Sequence, residues 1–82
     1  MTQIDWAAAM LTRYLMEKGA SSVGVRRLHY WIVSLPEDQR LIPSRRKGAI
    51  RIYQNVKNDY QRLSGLLVEA RIRGLIPWNA MQ

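Results

Sequence analysis

The sequence contains no cysteine, which excludes disulfide staples, thiolate metal centres and thiol chemistry together. It has one histidine, His29, so no multi-histidine metal site can form. The five glycines are scattered and build no phosphate-cradling loop. The six carboxylates (Asp5, Glu17, Glu37, Asp38, Asp59 and Glu69) show neither an acid–base pair spacing nor a triad with His29. No apolar run approaches the roughly 18 residues of a membrane span, and no charged-then-apolar leader opens the chain. These absences point to a cytoplasmic binding module rather than an enzyme, with no metal, no cofactor and no membrane partner.

What is present fits one small domain. Of 82 residues, 48% are hydrophobic and 23% charged, which is globular and not disordered composition. A chain of this length buries about 60–65% of its unfolded surface, enough for a core without staples. The formal charge is +7, and its placement matters more than its size. Residues 1–39 hold four cations against four carboxylates, whereas residues 40–73 hold nine against two. The whole excess therefore lies in one stretch, and ten of the thirteen cations are arginine. Arginine's planar fork suits phosphates and guanine edges, and segregated positive charge is the footprint of a polyanion partner.

Hydrophobic spacing predicts three helices. Thr2 followed by Asp5 fits a capping box, and Ile4, Ala7, Ala8, Leu11, Tyr14 and Leu15 form a helical stripe ending at Gly19. Helix one is thus expected over roughly residues 4–18. Val25, Leu28, Ile32 and Leu35 predict a second helix over 23–35, capped by Ser21 or Ser22 and closed by Pro36. The Pro36–Gln39 stretch fits a single helical turn. Ala49–Tyr53 alternates like a short strand, or serves as the lead-in to the next helix. Val56, Tyr60, Leu63, Leu66, Leu67 and Ala70 give the seam of a third helix, with Asn55 as its cap and Gly74 as its left-handed stop. Gly65 inside that helix points to a close packing contact. Leu75–Trp78 would begin a strand or a packed tail. The expected fold is mainly α: a tri-helical helix-turn-helix or winged-helix-like unit with short turns and at most a rudimentary β wing.

The segment Val25-Arg-Arg-Leu-His-Tyr30, taken with Tyr60-Gln-Arg-Leu-Ser-Gly-Leu-Leu-Val-Glu-Ala-Arg-Ile-Arg-Gly-Leu-Ile-Pro-Trp78, resembles a group of prokaryotic winged-helix-like domains. Their members read approximately R-x-x-Y-Y, then Y-x-x-L-x-x-L-L-x-x-A-R-x-x-G-L-I-P-W. The match covers about a third of the chain, in an order that fits helices two and three. It implies the winged-helix-like fold rather than an activity. It also implies an N-terminal unit of a longer protein, so residues 1–82 are expected to be one domain of a larger chain. The first segment further resembles part of the DNA-cleaving subunit of topoisomerase VI-type enzymes, in which the second tyrosine attacks a DNA phosphate. Tyr30 holds that place here, with His29 replacing the preceding aromatic and Arg26 or Arg27 available as cationic support. Those enzymes rely on a separate acidic, magnesium-binding domain, which this sequence lacks. A buried or groove-lining role is the expectation for Tyr30, and a satisfied structural role for His29.

The leading expectation is a DNA-binding module for double-stranded DNA. Arg45, Arg46, Lys47 and Arg51 would lie on phosphates. Lys57, Asn58, Gln61 and Arg62 would occupy the first two turns of a recognition helix, which presents such residues to base edges in the major groove. The alternative is a protein-interaction or homodimerisation module, in which Trp31, Trp78, Met10, Met16 and Leu41 leave an exposed apolar patch.

Overall fold

The computed structural model describes residues 1–44, 46 and 48–82. Helix α1 spans Gln3–Lys18, α2 spans Val25–Val33 and α3 spans Lys57–Ile72; a hairpin of β1 (Leu41–Pro43) and β2 (Ile50–Ile52) lies between α2 and α3. The fold is mainly α and winged-helix-like, with a two-stranded antiparallel sheet.

Helix α1 forms where its local signals place it. The Thr2 hydroxyl accepts the Asp5 N–H at 3.1 Å, and Asp5 and Lys18 sit at the ends of the helix dipole that suit their charges. Gly19 ends the helix at φ 61°, and the Ala20 N–H returns to the Leu15 carbonyl. Trp6, Ala7, Met10, Leu11 and Tyr14 are buried. They pack mainly on α3, whose Leu63, Leu66, Leu67 and Ala70 form the opposing seam.

Helix α2 is shorter than the expected 23–35. Val23 is drawn out of it by the C-terminal tail: its N–H donates to the Ala80 carbonyl at 2.9 Å, and its carbonyl accepts from the Gln82 N–H at 3.1 Å. This single parallel bridge, Val23 with Met81, is what becomes of the expected strand or tail after Gly74. Neither Ser21 nor Ser22 caps α2; Gly24 is the N-cap and supplies no side-chain bond. Leu28, His29 and Ile32 face the core.

The link between α2 and α3 is not the short turn expected of a helix-turn-helix. It carries a single 3-10 turn at Glu37–Gln39 and then the hairpin, paired as Leu41 with Ile52, Ile42 with Arg51 and Pro43 with Ile50. Of the two readings of residues 49–53, the strand is therefore the correct one. Its partner strand ends on Pro43, a position a proline can hold at a sheet edge. Ile42 and Tyr53 are fully buried beneath the hairpin. The Gln3 side-chain amide donates to the Pro43 carbonyl at 2.8 Å and ties α1 to β1.

The two glycines near α3 have opposite roles. Gly74 holds φ 76° just past the helix, and the Leu75 N–H bonds back to the Ala70 carbonyl at 2.9 Å. Gly65 makes no close contact: a Cβ there would meet nothing within 4 Å, so the expected packing contact is absent. Gly65→Ala should raise unfolding free energy by about 1 kcal/mol through helix propensity. Gly74→Ala should lower it by about 1 kcal/mol or more because the left-handed region penalises a Cβ. Urea melts of the two variants measure both.

Candidate functional site

The start of α3 is set by one carboxylate. Asp59, in the first turn, is almost wholly buried, and its oxygens accept from Arg51 Nη1 at 3.0 Å and Nη2 at 2.7 Å. The same group accepts the Gln54 N–H at 2.7 Å. This reach-back fixes the angle between β2 and α3. Burial by itself raises the Asp59 pKa, but the Arg51 hydrogen bonds, the Gln54 N–H and the Arg51 charge outweigh it and hold the carboxyl below its usual range.

Tyr53 carries the connection to α2. Its hydroxyl donates to the Asp59 carbonyl at 3.1 Å and lies 2.6 Å from His29 Nδ1. Burial, then the nearby Asp59 charge, push the phenol well above its ordinary range. The other ring nitrogen of His29 faces Asn55 Oδ1 at 3.1 Å. Both nitrogens of this buried ring therefore have partners within the fold. Asn55 is not the helix cap: that position is Val56, which offers no side-chain bond to the first amides of α3.

Around this network lies an open cavity of about 320 Å³ between α2 and the start of α3. Arg26, His29 and Tyr30 come from α2, and Asn55, Val56, Lys57 and Tyr60 from the other side. The rings of Tyr30 and Tyr60 each sit 5.4 Å from that of His29. Tyr30 is exposed and lines this groove.

The sequence-derived cations separate into two groups. Arg51 is committed to Asp59, and Arg73 lies beside Glu69 at 3.6 Å. Arg40 donates to the Tyr53 carbonyl. Arg71 donates to the Met81 carbonyl at 3.2 Å while lying over the Trp78 ring. Arg46, Lys57 and Arg62 have no carboxylate partner among the described residues, and neither do Arg26 and Arg27. Arg45 and Lys47 lie outside the described residues. Lys57, Asn58 and Gln61 are exposed and Arg62 half-buried along one face of α3, with exposed Gly65 beyond them. Sequence reasoning offered Arg26 or Arg27 only as cationic support for Tyr30 and Asn55 only as a helix cap, and joined neither Arg26 nor Asn55 to Lys57 and Tyr60. The one local signal was the i, i+4 spacing that places Arg26 and Tyr30 on one helical face.

The expected apolar patch is divided. Met10 is buried, and Trp31 is half-buried, edge-on to Tyr14 with the Arg13 guanidinium over its ring. Met16 and Trp78 are exposed, and Leu41 is only marginally so. No helix among the described residues is long and apolar enough to cross a membrane.

No family model matches the chain, and neither a curated protein nor a solved structure does.

The carboxylate and phenol predict a bell-shaped stability profile. Asp59 binds its proton less readily when folded, so its contribution is full above about pH 4 and is lost as pH falls through its lower folded value. Tyr53 holds its proton more tightly when folded, so its contribution is full below about pH 10 and fades as pH rises toward its folded value. Asp59→Asn should cost about 2 kcal/mol at neutral pH and flatten the acid limb. Tyr53→Phe should flatten the alkaline limb. Denaturant melts across pH read both effects.

Proposed function

We propose that this domain is a non-enzymatic module that binds double-stranded DNA. The observation that carries the reading is the set of cations outside α1 that, among the described residues, bond neither a carboxylate nor a backbone carbonyl: Arg26 and Arg27 on α2, Lys57 and Arg62 on α3, and Arg46 in the hairpin loop. Arg26 and Lys57 line the same cavity, so the two helices share one positive surface. Lys57, Asn58, Gln61 and Arg62 occupy the opening turns of α3 on one face. Asn and Gln suit an adenine edge, and Arg suits guanine O6 and N7. In this arrangement α3 enters the major groove while Arg26, Arg27 and Arg46 neutralise flanking phosphates. Arg51 has a different task, holding α3 to the hairpin.

Fluorescence anisotropy with a labelled mixed-sequence duplex at several salt concentrations tests the reading. Affinity should fall with a log–log slope of about −0.9 for each phosphate neutralised, totalling several phosphates. Arg27→Ala and Arg46→Ala should each weaken all duplexes alike and reduce that slope by about 1. Arg62→Ala should cost about 1–3 kcal/mol on a selected site and relax discrimination at one base. Negligible binding at low salt would remove DNA as the partner.

A protein-docking module is the second reading, favoured by a different surface. Met16 on α1 and Leu75 after α3 border a groove of about 540 Å³ floored by Ala8 and Ala9, and Ile72 and Val68 are also exposed on α3. If this surface pairs with a second copy, sedimentation equilibrium should show a dimer that Met16→Glu dissociates. A monomer at high concentration counts against homodimerisation.

A further inference from the structure

The cavity at the start of α3 has contents that duplex binding does not use. A backbone phosphate needs only a cation and a few amides, and it would fill a small part of about 320 Å³. The remaining wall is aromatic. Tyr30 and Tyr60 flank the His29 ring, each at 5.4 Å, and His29 is itself held rigid by Tyr53 and Asn55. Tyr30 is 55% exposed, an apolar ring left in water at the mouth of the groove. The polar side is equally specific. Arg26 from α2 and Lys57 from α3 both line it, with no carboxylate among the residues that line the cavity. The first amides of α3 receive no bond from the side chain of their cap residue, Val56.

We propose that this cavity is a nucleoside 5′-phosphate site that takes one unpaired nucleotide of a DNA strand, the phosphate against Arg26 and Lys57 and the base against Tyr30. The strand as source rests on the DNA-binding reading; the pocket chemistry does not. Guanidinium and ammonium groups answer the phosphate charge, assisted by the positive end of α3. A tyrosine face accepts any base, because every base offers a π surface. Asn55 supplies the polar edge beside them. The site would let a duplex binder distinguish a frayed, extruded or overhanging nucleotide from a fully paired end.

The full chain, isotopically labelled, is titrated with dAMP, deoxyadenosine and inorganic phosphate, following the amide resonances of Arg26, Tyr30, Asn55, Lys57 and Tyr60. The expected result is saturable dAMP binding about tenfold or more tighter than either fragment, with Tyr30→Ala and Arg26→Ala each weakening it by about tenfold. Both positions are exposed, so thermal melts should show these variants folded. Equal binding of phosphate and dAMP, or no dAMP response, overturns the proposal. A second arm compares a blunt duplex with the same duplex bearing a 5′-phosphorylated single-stranded overhang. Tighter binding of the overhang supports the strand as source. Binding of dAMP with no overhang preference rejects the strand and retains the free nucleotide. Duplex binding without any dAMP response sinks the pocket and leaves the DNA-binding reading intact. The reverse result sinks that reading and keeps the pocket.

Discussion

The bidentate pair between Arg51 and Asp59 joins a strand, a helix and the short link between them through one carboxylate. Arg51 belongs to β2, Asp59 to the first turn of α3, and the same carboxylate takes the N–H of Gln54 in the link between them. A buried carboxylate without such partners would be costly, so the hairpin and the helix form their contact together or not at all. Through the Asp59 carbonyl the constraint passes to Tyr53, and through Tyr53 to His29 on α2. One acidic side chain thus links the hairpin, α2 and the start of α3 around the groove, alongside the apolar core the helices share.

That dependence explains which features the sequence discloses. Helix α1 is legible because its signals are local: Thr2 and Asp5 at one end, Lys18 and Gly19 at the other. The seam of α3 and the stop at Gly74 are legible for the same reason. The strand at Ile50–Ile52 shows its alternation, but its partner does not, since Pro43 reads as a break and pairing across a loop leaves no periodic trace. Val23 falls within the range expected for α2 and still lies outside the helix, because its hydrogen bonds go to the tail near the other end of the sequence. Tertiary pairing overrides propensity at these two places.

The charge pattern shows the same limit in the candidate site. Counting cations over residues 40–73 treats every arginine as available. Folding withdraws Arg51 into an ion pair, Arg73 toward Glu69, and Arg40 and Arg71 onto backbone carbonyls. It also brings Arg26, from the electrically balanced half of the sequence, to the side of Lys57. Net charge gave the sign of the surface, but only the contacts distinguish structural arginines from those with spare capacity. Asn55 changes its meaning similarly, from a helix cap by spacing to the partner of a buried histidine by geometry.

The bridge between Val23 and Met81 has a kinetic consequence. It closes a loop of chain that contains α2, the hairpin and α3, and the stretch that closes it is the last of these residues to be synthesised. Helix α1 can form early from its own caps, but the segment leading into α2 lacks its pairing partner until residues 80–82 emerge. A domain built this way acquires its final topology late, after long-range closure whose entropy must be met before the contacts reward it. Until α3 follows them, the apolar faces of α1 and α2 lack the helix that both pack against.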